Sequence, residues 1–172
     1  MVTQMKKIIL LFIVLSTLIG CSLSNSPTSK VEDLLTKYQT LDEDIENGIS
    51  SVIEEETLTP SQRERYRKII EKQYKNLSYE VKDERYDGDK ATITVEIEVL
   101  NYRKAINEVS NLYLKKDDYT VDEYNEEKLN ALENVNEKVL YTIDFDVSKD
   151  TNGNWRLSSL SNETIKKILG MY

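Results

Sequence analysis

Hydrophobic residues recur at steps of three and four over residues 31–53, and this spacing predicts one long amphipathic helix. Ser29 and Glu32 form a capping box at its start. Gly48 marks either a bend or the start of a second segment, because glycine disfavours the helical backbone by about 1 kcal/mol relative to alanine. Another capping box, Thr-Pro-Ser-Gln at residues 59–62, predicts a second helix whose apolar face comprises Tyr66, Ile69, Ile70, Tyr74 and Leu77.

Alternating apolar and polar residues predict two β-hairpins later in the chain. In the first hairpin, a strand that opens at Tyr79 turns through an Asp-Gly pair at residues 87–88 into a return strand over residues 90–100. In the second, residues 141–147 lead through an Asn-Gly turn at residues 152–153 into a short strand. The positions expected to face the core are Ile93, Val95, Ile97, Val99, Ile143 and Phe145.

Helical spacing resumes between the hairpins and again after the second one. Residues 102–113 carry apolar side chains at helical steps, and Thr120 with Glu123 forms a third capping box before a further helix. A short terminal helix starts near Asn162 and stops at Gly170. This order of elements predicts an α+β fold in which N-terminal helices pack on one face of a curved, mostly antiparallel sheet.

The first 20 residues have the pattern of a secretory signal peptide, in which Lys6 and Lys7 precede an apolar run. The run over residues 8–20 has 13 residues, whereas a membrane-spanning helix needs about 20. The chain is therefore predicted to have three parts, which are a signal peptide over residues 1–20, a flexible tether over residues 21–29 and a single domain over residues 30–172.

A lipobox-like sequence closes this leader. It reads Leu18, Ile19, Gly20 and Cys21, and it resembles the lipobox of bacterial lipoproteins. The resemblance implies that the thiol of Cys21 receives a diacylglyceryl group and that this residue becomes the mature N-terminus. Two acyl chains give a durable anchor, unlike a single myristoyl chain. The expected location is the extracytoplasmic face of the bacterial cell membrane, with the membrane itself as one partner through the lipid on Cys21.

Three features of the remaining chain resemble small secreted lipoproteins with an NTF2-like, cystatin-like cone domain. These are the long N-terminal helix, the return strand over residues 90–99 and the closing segment over residues 150–157. The resemblance covers most of residues 30–172. It implies a cone of helices packed on an antiparallel sheet, and many lipoproteins of this type have no assigned activity. Fold alone therefore does not give the function.

The composition of the chain argues against several classes of function. The chain has 23 basic and 31 acidic residues, and removal of the leader with its two lysines leaves 21 basic residues and a formal charge of −10. Such a charge repels nucleic acid, so no nucleic-acid partner is expected. Histidine is absent, which removes the commonest general base and the usual metal ligand. With Cys21 as the only cysteine, no thiolate metal site and no cofactor are expected.

Two groups of residues are candidate sites. If the two strands are neighbours, the outward strand positions form an acidic face that could bind a cation or a basic partner, and a solvated sheet surface is the favoured explanation. These positions are Glu96, Glu98, Asp144 and Asp146. Three phenols near inward positions could line a pocket, and they are Tyr79, Tyr102 and Tyr141.

Three functions remain open at this stage. The leading hypothesis is a membrane-anchored, non-catalytic lipoprotein whose domain binds a partner protein or envelope component. The alternative is a pocket protein or an enzyme that holds a small apolar molecule inside the cone, between the long helix and the sheet. A filled core would count against this alternative. The third hypothesis is a structural spacer.

The lipobox makes a direct prediction. Labelled palmitate should enter the wild-type protein in growing cells and should not enter a Cys21→Ala variant, because only a thiol at this position can form the thioether to the diacylglyceryl group. Radiolabel or click-label incorporation measured on immunoprecipitated protein tests this. Equal labelling of the two proteins would refute the lipoprotein interpretation.

Overall fold

The computed structural model describes residues 25–116 and 118–172, and within these ranges it forms an α+β fold with one four-stranded antiparallel sheet. The predicted leader, with Leu18, Ile19, Gly20 and Cys21, lies outside the described residues. The elements are α1 (Pro27–Thr40), α2 (Glu43–Glu55), α3 (Pro60–Lys75), β1 (Ser78–Asp87), β2 (Lys90–Leu100), α4 (Tyr102–Tyr113), α5 (Val121–Glu133), β3 (Lys138–Lys149), β4 (Trp155–Leu157) and α6 (Asn162–Ile168).

The first helix begins before the predicted capping box. Ser26 is the N-cap, and its hydroxyl accepts from the backbone N–H of Ser29 at 3.0 Å while the Ser29 hydroxyl accepts from the N–H of Ser26 at 3.1 Å. The expected pair of Ser29 with Glu32 is therefore not the box that starts α1. Residues 27–29, which the sequence placed in the tether, form the first turn, and Pro27 is buried there.

The prediction of one long helix over residues 31–53 is wrong, because the chain breaks at Leu41. This residue has a left-handed backbone with φ of 53°, and its side chain is buried. Asp42 then caps α2, accepting from the N–H of Ile45 at 3.1 Å. Burial of Leu41 and the cap at Asp42 together favour the break over a continuous helix. Gly48 lies in the middle of α2 and does not mark the break.

The predicted hairpins are confirmed in register. The strands lie in the order β1-β2-β3-β4, and β2 pairs with β3 so that Ile93 faces Phe145 and Val95 faces Ile143. Gly88 and Gly153 occupy the two turns with positive φ, which glycine adopts without steric cost. The six positions expected to face the core are all buried.

A β-bulge between Val81 and Asp83 changes which side chains of β1 face the core. Val81 lies opposite the buried Val95, but Asp83 lies opposite the outward Thr94. The bulge therefore exchanges the two faces of the strand. As a result Arg85, which simple alternation would turn inward, lies on the outer face of the sheet.

The helices cover the inner face of the sheet, as predicted. Helix α1 packs on β2, β3 and β4, and α3 packs on α1 and β2. Helices α4 and α5 pack against each other, and α5 packs on α3, so these two helices extend the helical layer beyond the sheet. The side chains of Val31, Leu35, Ile93, Val95 and Ile97 have no exposed surface. The space between α1 and the sheet is thus filled by side chains.

A glutamine side chain holds the end of β2 against α3. Gln73 has no exposed surface; its amide nitrogen donates to the carbonyl of Leu100 at 2.9 Å, and its amide oxygen accepts from the N–H of Leu100 at 2.9 Å. Beside it, the buried hydroxyl of Tyr102 donates to the carbonyl of Ile69 at 2.9 Å. Gln73 thus satisfies backbone groups of Leu100 that the sheet does not pair, and Tyr102 adds a second hydrogen bond to a carbonyl inside α3.

The terminal segment closes the same junction. Gly170 follows α6 with φ of 67°, and its carbonyl accepts from the N–H of Arg103 at 2.7 Å. A Cβ at this position would overlap the carbonyl oxygen of Leu100 and the amide nitrogen of Gln73. The glycine is required both by the backbone conformation and by this close approach.

Substitution of two glycines should change stability in opposite directions. Gly170→Ala should lower the free energy of unfolding by about 2 to 3 kcal/mol, because it combines a steric overlap with a strained backbone. Gly48→Ala should raise it by as much as about 1 kcal/mol, because Gly48 is helical and a Cβ there meets no atom within 4 Å. Urea denaturation of both variants measures the difference. A neutral Gly170→Ala variant would contradict the described junction.

Candidate functional site

The two strands of the predicted acidic face are neighbours in the sheet. Thr92 of β2 pairs with Asp146 of β3, and Thr94 pairs with Asp144, so both aspartates share the outer face with Glu96 and Glu98. The carboxylates of this face are engaged in hydrogen bonds: the Thr94 hydroxyl donates to Asp144 at 2.6 Å and the Thr92 hydroxyl donates to Asp146 at 3.1 Å.

Basic residues neutralise this face. Lys82 lies 3.3 Å from the carboxylate of Glu96, Lys138 lies 2.6 Å from that of Glu98, and Arg85 lies 3.5 Å from that of Asp144. The hydrogen bond from Lys138 holds the pKa of Glu98 below its usual range. In residues 25–116 and 118–172 no group of three or more acidic side chains is arranged to hold a metal ion. The geometry supports a solvated surface of mixed charge.

The three predicted pocket tyrosines do not converge. Tyr102 is fully buried, and its hydroxyl donates a hydrogen bond to a backbone carbonyl of α3. The Tyr141 hydroxyl donates instead to the carbonyl of Tyr172 at 3.0 Å. Tyr79 is half-buried on β1, where burial raises its pKa. These side chains belong to separate contacts, and the inner face of the sheet between them is filled. The structure therefore gives no support to a pocket inside the cone.

An exposed apolar cluster lies at the connection between α4 and α5. We call it the apolar tip, and it consists of Leu112, Leu114, Tyr119 and Val121, whose exposed fractions are 63%, 81%, 45% and 63%. Single exposed apolar residues are ordinary, but four within ten positions form a local concentration. The sequence contains a signal for it, because Leu112 and Leu114 fall off the helical stripe that contains Val109 and Tyr113.

An aromatic cluster around the buried Tyr113 holds the apolar tip in place. The ring of Tyr113 meets those of Tyr119 and Tyr124 edge to face, with centroids 4.8 and 5.3 Å apart. The Tyr113 hydroxyl donates to the carbonyl of Glu123 at 3.1 Å, and Lys116 lies 4.3 Å above the Tyr113 ring. Such edge-to-face pairs stabilise beyond their buried area. The tip is thus presented on a structured support.

The two helices that carry the apolar tip join the sheet at the end opposite to the start of the domain. Asn25 lies at the end of the sheet that carries the two hairpin turns, which we call the turn end. Its side-chain oxygen accepts from the N–H of Trp155 at 3.0 Å. Strand β2 runs 11 residues, about 33 Å, from that end to Leu100. Helices α4 and α5 connect β2 to β3 at the far end.

Comparison of the chain with protein-family models, with curated proteins and with solved structures found no match. In the part of the chain that the structure describes, no helix is both long enough and apolar enough to cross a bilayer.

The buried phenols should make the fold sensitive to alkaline pH. Burial raises the pKa of Tyr66 to about 12 and raises the pKa of Tyr102 and Tyr74 as well. Unfolded phenols lose their protons near pH 10, whereas these folded phenols keep them. The free energy of unfolding should therefore be constant below about pH 9 and should fall as the pH rises from about 10 to about 12. Urea denaturation across this range, with tyrosinate absorbance recorded in parallel, provides the measurement; a flat profile would contradict the burial of these hydroxyls.

Proposed function

We propose that this protein is an extracytoplasmic lipoprotein, anchored to the bacterial cell membrane through Cys21, whose NTF2-like domain binds a protein or envelope partner without catalysis. The lipobox-like sequence supports the anchor. The helices packed on an antiparallel sheet agree with the coarse plan of the NTF2-like cone. The filled inner face of the sheet favours a surface role over chemistry inside the cone, because a reaction there would need an accessible cavity.

The anchor would hold one end of the domain close to the membrane. Only three residues separate Cys21 from Asn25, and covalent geometry limits the distance between their Cα atoms to about 14 Å. The side chain of Asn25 accepts a hydrogen bond from the backbone N–H of Trp155 at the turn end of the sheet. Lipidation at Cys21 would therefore direct this end toward the bilayer.

The apolar tip is the observation that carries the proposal of a protein partner. Its four side chains lie at the α4–α5 connection, and these two helices join the sheet at the end away from Asn25. Apolar surface that is concentrated and held on a structured support is typical of protein interaction sites. Lipidation would thus leave the tip accessible to a partner on the side away from the bilayer.

Photo-crosslinking in intact cells tests this function. A benzophenone side chain in place of Leu114 should give a discrete adduct, whereas the same group in place of the exposed Thr142 on the sheet should give none. The adduct should disappear when Leu112 and Val121 are changed to serine, because the partner then loses its apolar contacts. These exposed substitutions should change the free energy of unfolding by less than about 0.5 kcal/mol each.

Two results would refute the partner interpretation. One is the absence of any adduct from position 114 in the palmitate-labelled protein, and the other is an equal set of adducts from positions 114 and 142. Loss of lipidation in Cys21→Ala, measured separately, distinguishes a failed anchor from a failed partner site.

A further inference from the structure

A groove of about 290 Å³ opens between α2, α3 and α6, on the helical side of the molecule and away from the cone interior. We call it the helical groove. Its aliphatic walls are formed by Ile45, Ile49, Val52, Ile70, Ile165 and Leu169. At its rim Val52 is 46% exposed and Ile165 is 37% exposed. The apolar residues at positions 165, 168 and 169 of the terminal helix would predict that Ile165 packs in the core, but it lies at this rim.

Three phenols complete the lining of the helical groove. Tyr66 and Tyr74 project from α3 and are each only 7% exposed, and Tyr38 projects from α1 with its ring centroid 4.8 Å from that of Tyr74. Burial raises the pKa of Tyr66 to about 12, so its hydroxyl is protonated at neutral pH and can donate a hydrogen bond.

These hydroxyls are unusual because none of the three donates to or accepts from another described residue. A buried tyrosine hydroxyl usually finds a partner, as that of Tyr102 does in the carbonyl of Ile69. Every described side-chain nitrogen or oxygen that is closed off from solvent has a hydrogen-bond partner. The hydroxyls of Tyr66 and Tyr74 are therefore not closed off from solvent, and because both side chains line the groove, a ligand group in it could bond to them.

Gly48 leaves space at the mouth of the groove. It lies in the middle of α2, and a Cβ placed there would meet no atom within 4 Å. Its backbone has no positive φ that would require glycine. The position thus tolerates a side chain sterically, and a large side chain there would occupy the space from which a ligand enters.

The charge of the α2 wall disfavours anionic ligands. Residues 43–56, which form α2 and its C-cap, contain six acidic residues and no lysine or arginine. Asp44 lines the groove and is paired with Lys37 at 3.1 Å, whereas Glu43 and Glu46 form no ion pair within the described ranges. Among the described residues that line the groove, Asp44 is the one with a charged side chain, so an anion is disfavoured at the α2 wall. On the α3 side Arg67 is engaged with α2, where it donates to the Ser50 hydroxyl at 3.0 Å.

We propose that the helical groove binds a small amphiphile, neutral or cationic, whose apolar body lies among the aliphatic side chains and whose single polar group bonds to the hydroxyls of Tyr66 and Tyr74. This site is independent of the anchor and of the apolar tip. It also differs from the pocket expected inside the cone, because the helical groove lies outside that filled core.

Three soluble probes that share one ring and differ only in their polar group test the ligand class. They are 4-ethylbenzyl alcohol, 4-ethylbenzylammonium and 4-ethylbenzoate. Saturation-transfer NMR with the full-length protein in lipid nanodiscs measures binding, and empty nanodiscs give the background from the lipid. The alcohol and the ammonium probe should bind, and the benzoate should bind at least tenfold more weakly. Equal binding of the benzoate, or no binding of any probe above background, would overturn the proposal.

Two matched variants locate the site. Gly48→Leu should abolish binding because its side chain fills the mouth, whereas Asn47→Leu adds the same side chain at an exposed position of the same helix and should leave binding unchanged. The double variant Tyr66→Phe and Tyr74→Phe keeps the shape of the groove and should weaken binding of the alcohol about five- to tenfold, as expected for a lost hydrogen bond. Equal binding by the wild type and Gly48→Leu would overturn the proposal.

A second copy of the chain is the other possible occupant of the groove, and sedimentation of the same samples detects it. A monomer in both the wild type and Gly48→Leu agrees with a small ligand. A wild-type dimer that dissociates in Gly48→Leu would overturn the proposal.

Discussion

The reciprocal hydrogen bonds between Gln73 and the backbone of Leu100 determine how the helical layer meets the sheet. Strand β1 starts at Ser78, opposite Glu98, so the last residue of β2 extends past its neighbour. Without Gln73, the N–H and carbonyl of Leu100 would be buried without partners, at a cost of about 1 to 3 kcal/mol for each group. The same contact fixes α3 beside β2, and Gly170 closes over it. The helical groove and the α4–α5 pair both depend on where α3 lies.

Most elements could be predicted from the sequence because the signals that define them are local. Capping boxes at Thr59 and Thr120 and the Gly88 turn act within three or four residues, so the sequence shows both partners of each interaction. The break at Leu41 was missed because it depends on burial against distant elements, which periodicity does not report. Gln73 was also missed, although a glutamine on the apolar stripe of Tyr66 and Ile69 is a visible sign of a buried polar contact.

The candidate sites were harder to predict because they depend on contacts between distant elements. Alternation placed Glu96 and Asp144 on one face correctly, but the bulge in β1 that brings Arg85 to this face has no pattern in the sequence. The phenols of Tyr38 and Tyr74 looked like core residues on two helical stripes. Only the packing of α2 and α6 around them shows that they line an open groove and that their hydroxyls lack partners.

The bulge has a further consequence at the edge of the sheet. Among the described residues, strand β1 has no neighbour on its outer side, and an exposed, regular edge would serve as a template for a strand of another molecule. Here the edge is irregular at Lys82, and charged residues from Glu80 to Arg85 follow along it. Copies of this protein that come into contact would thus be protected from pairing strand to strand along β1.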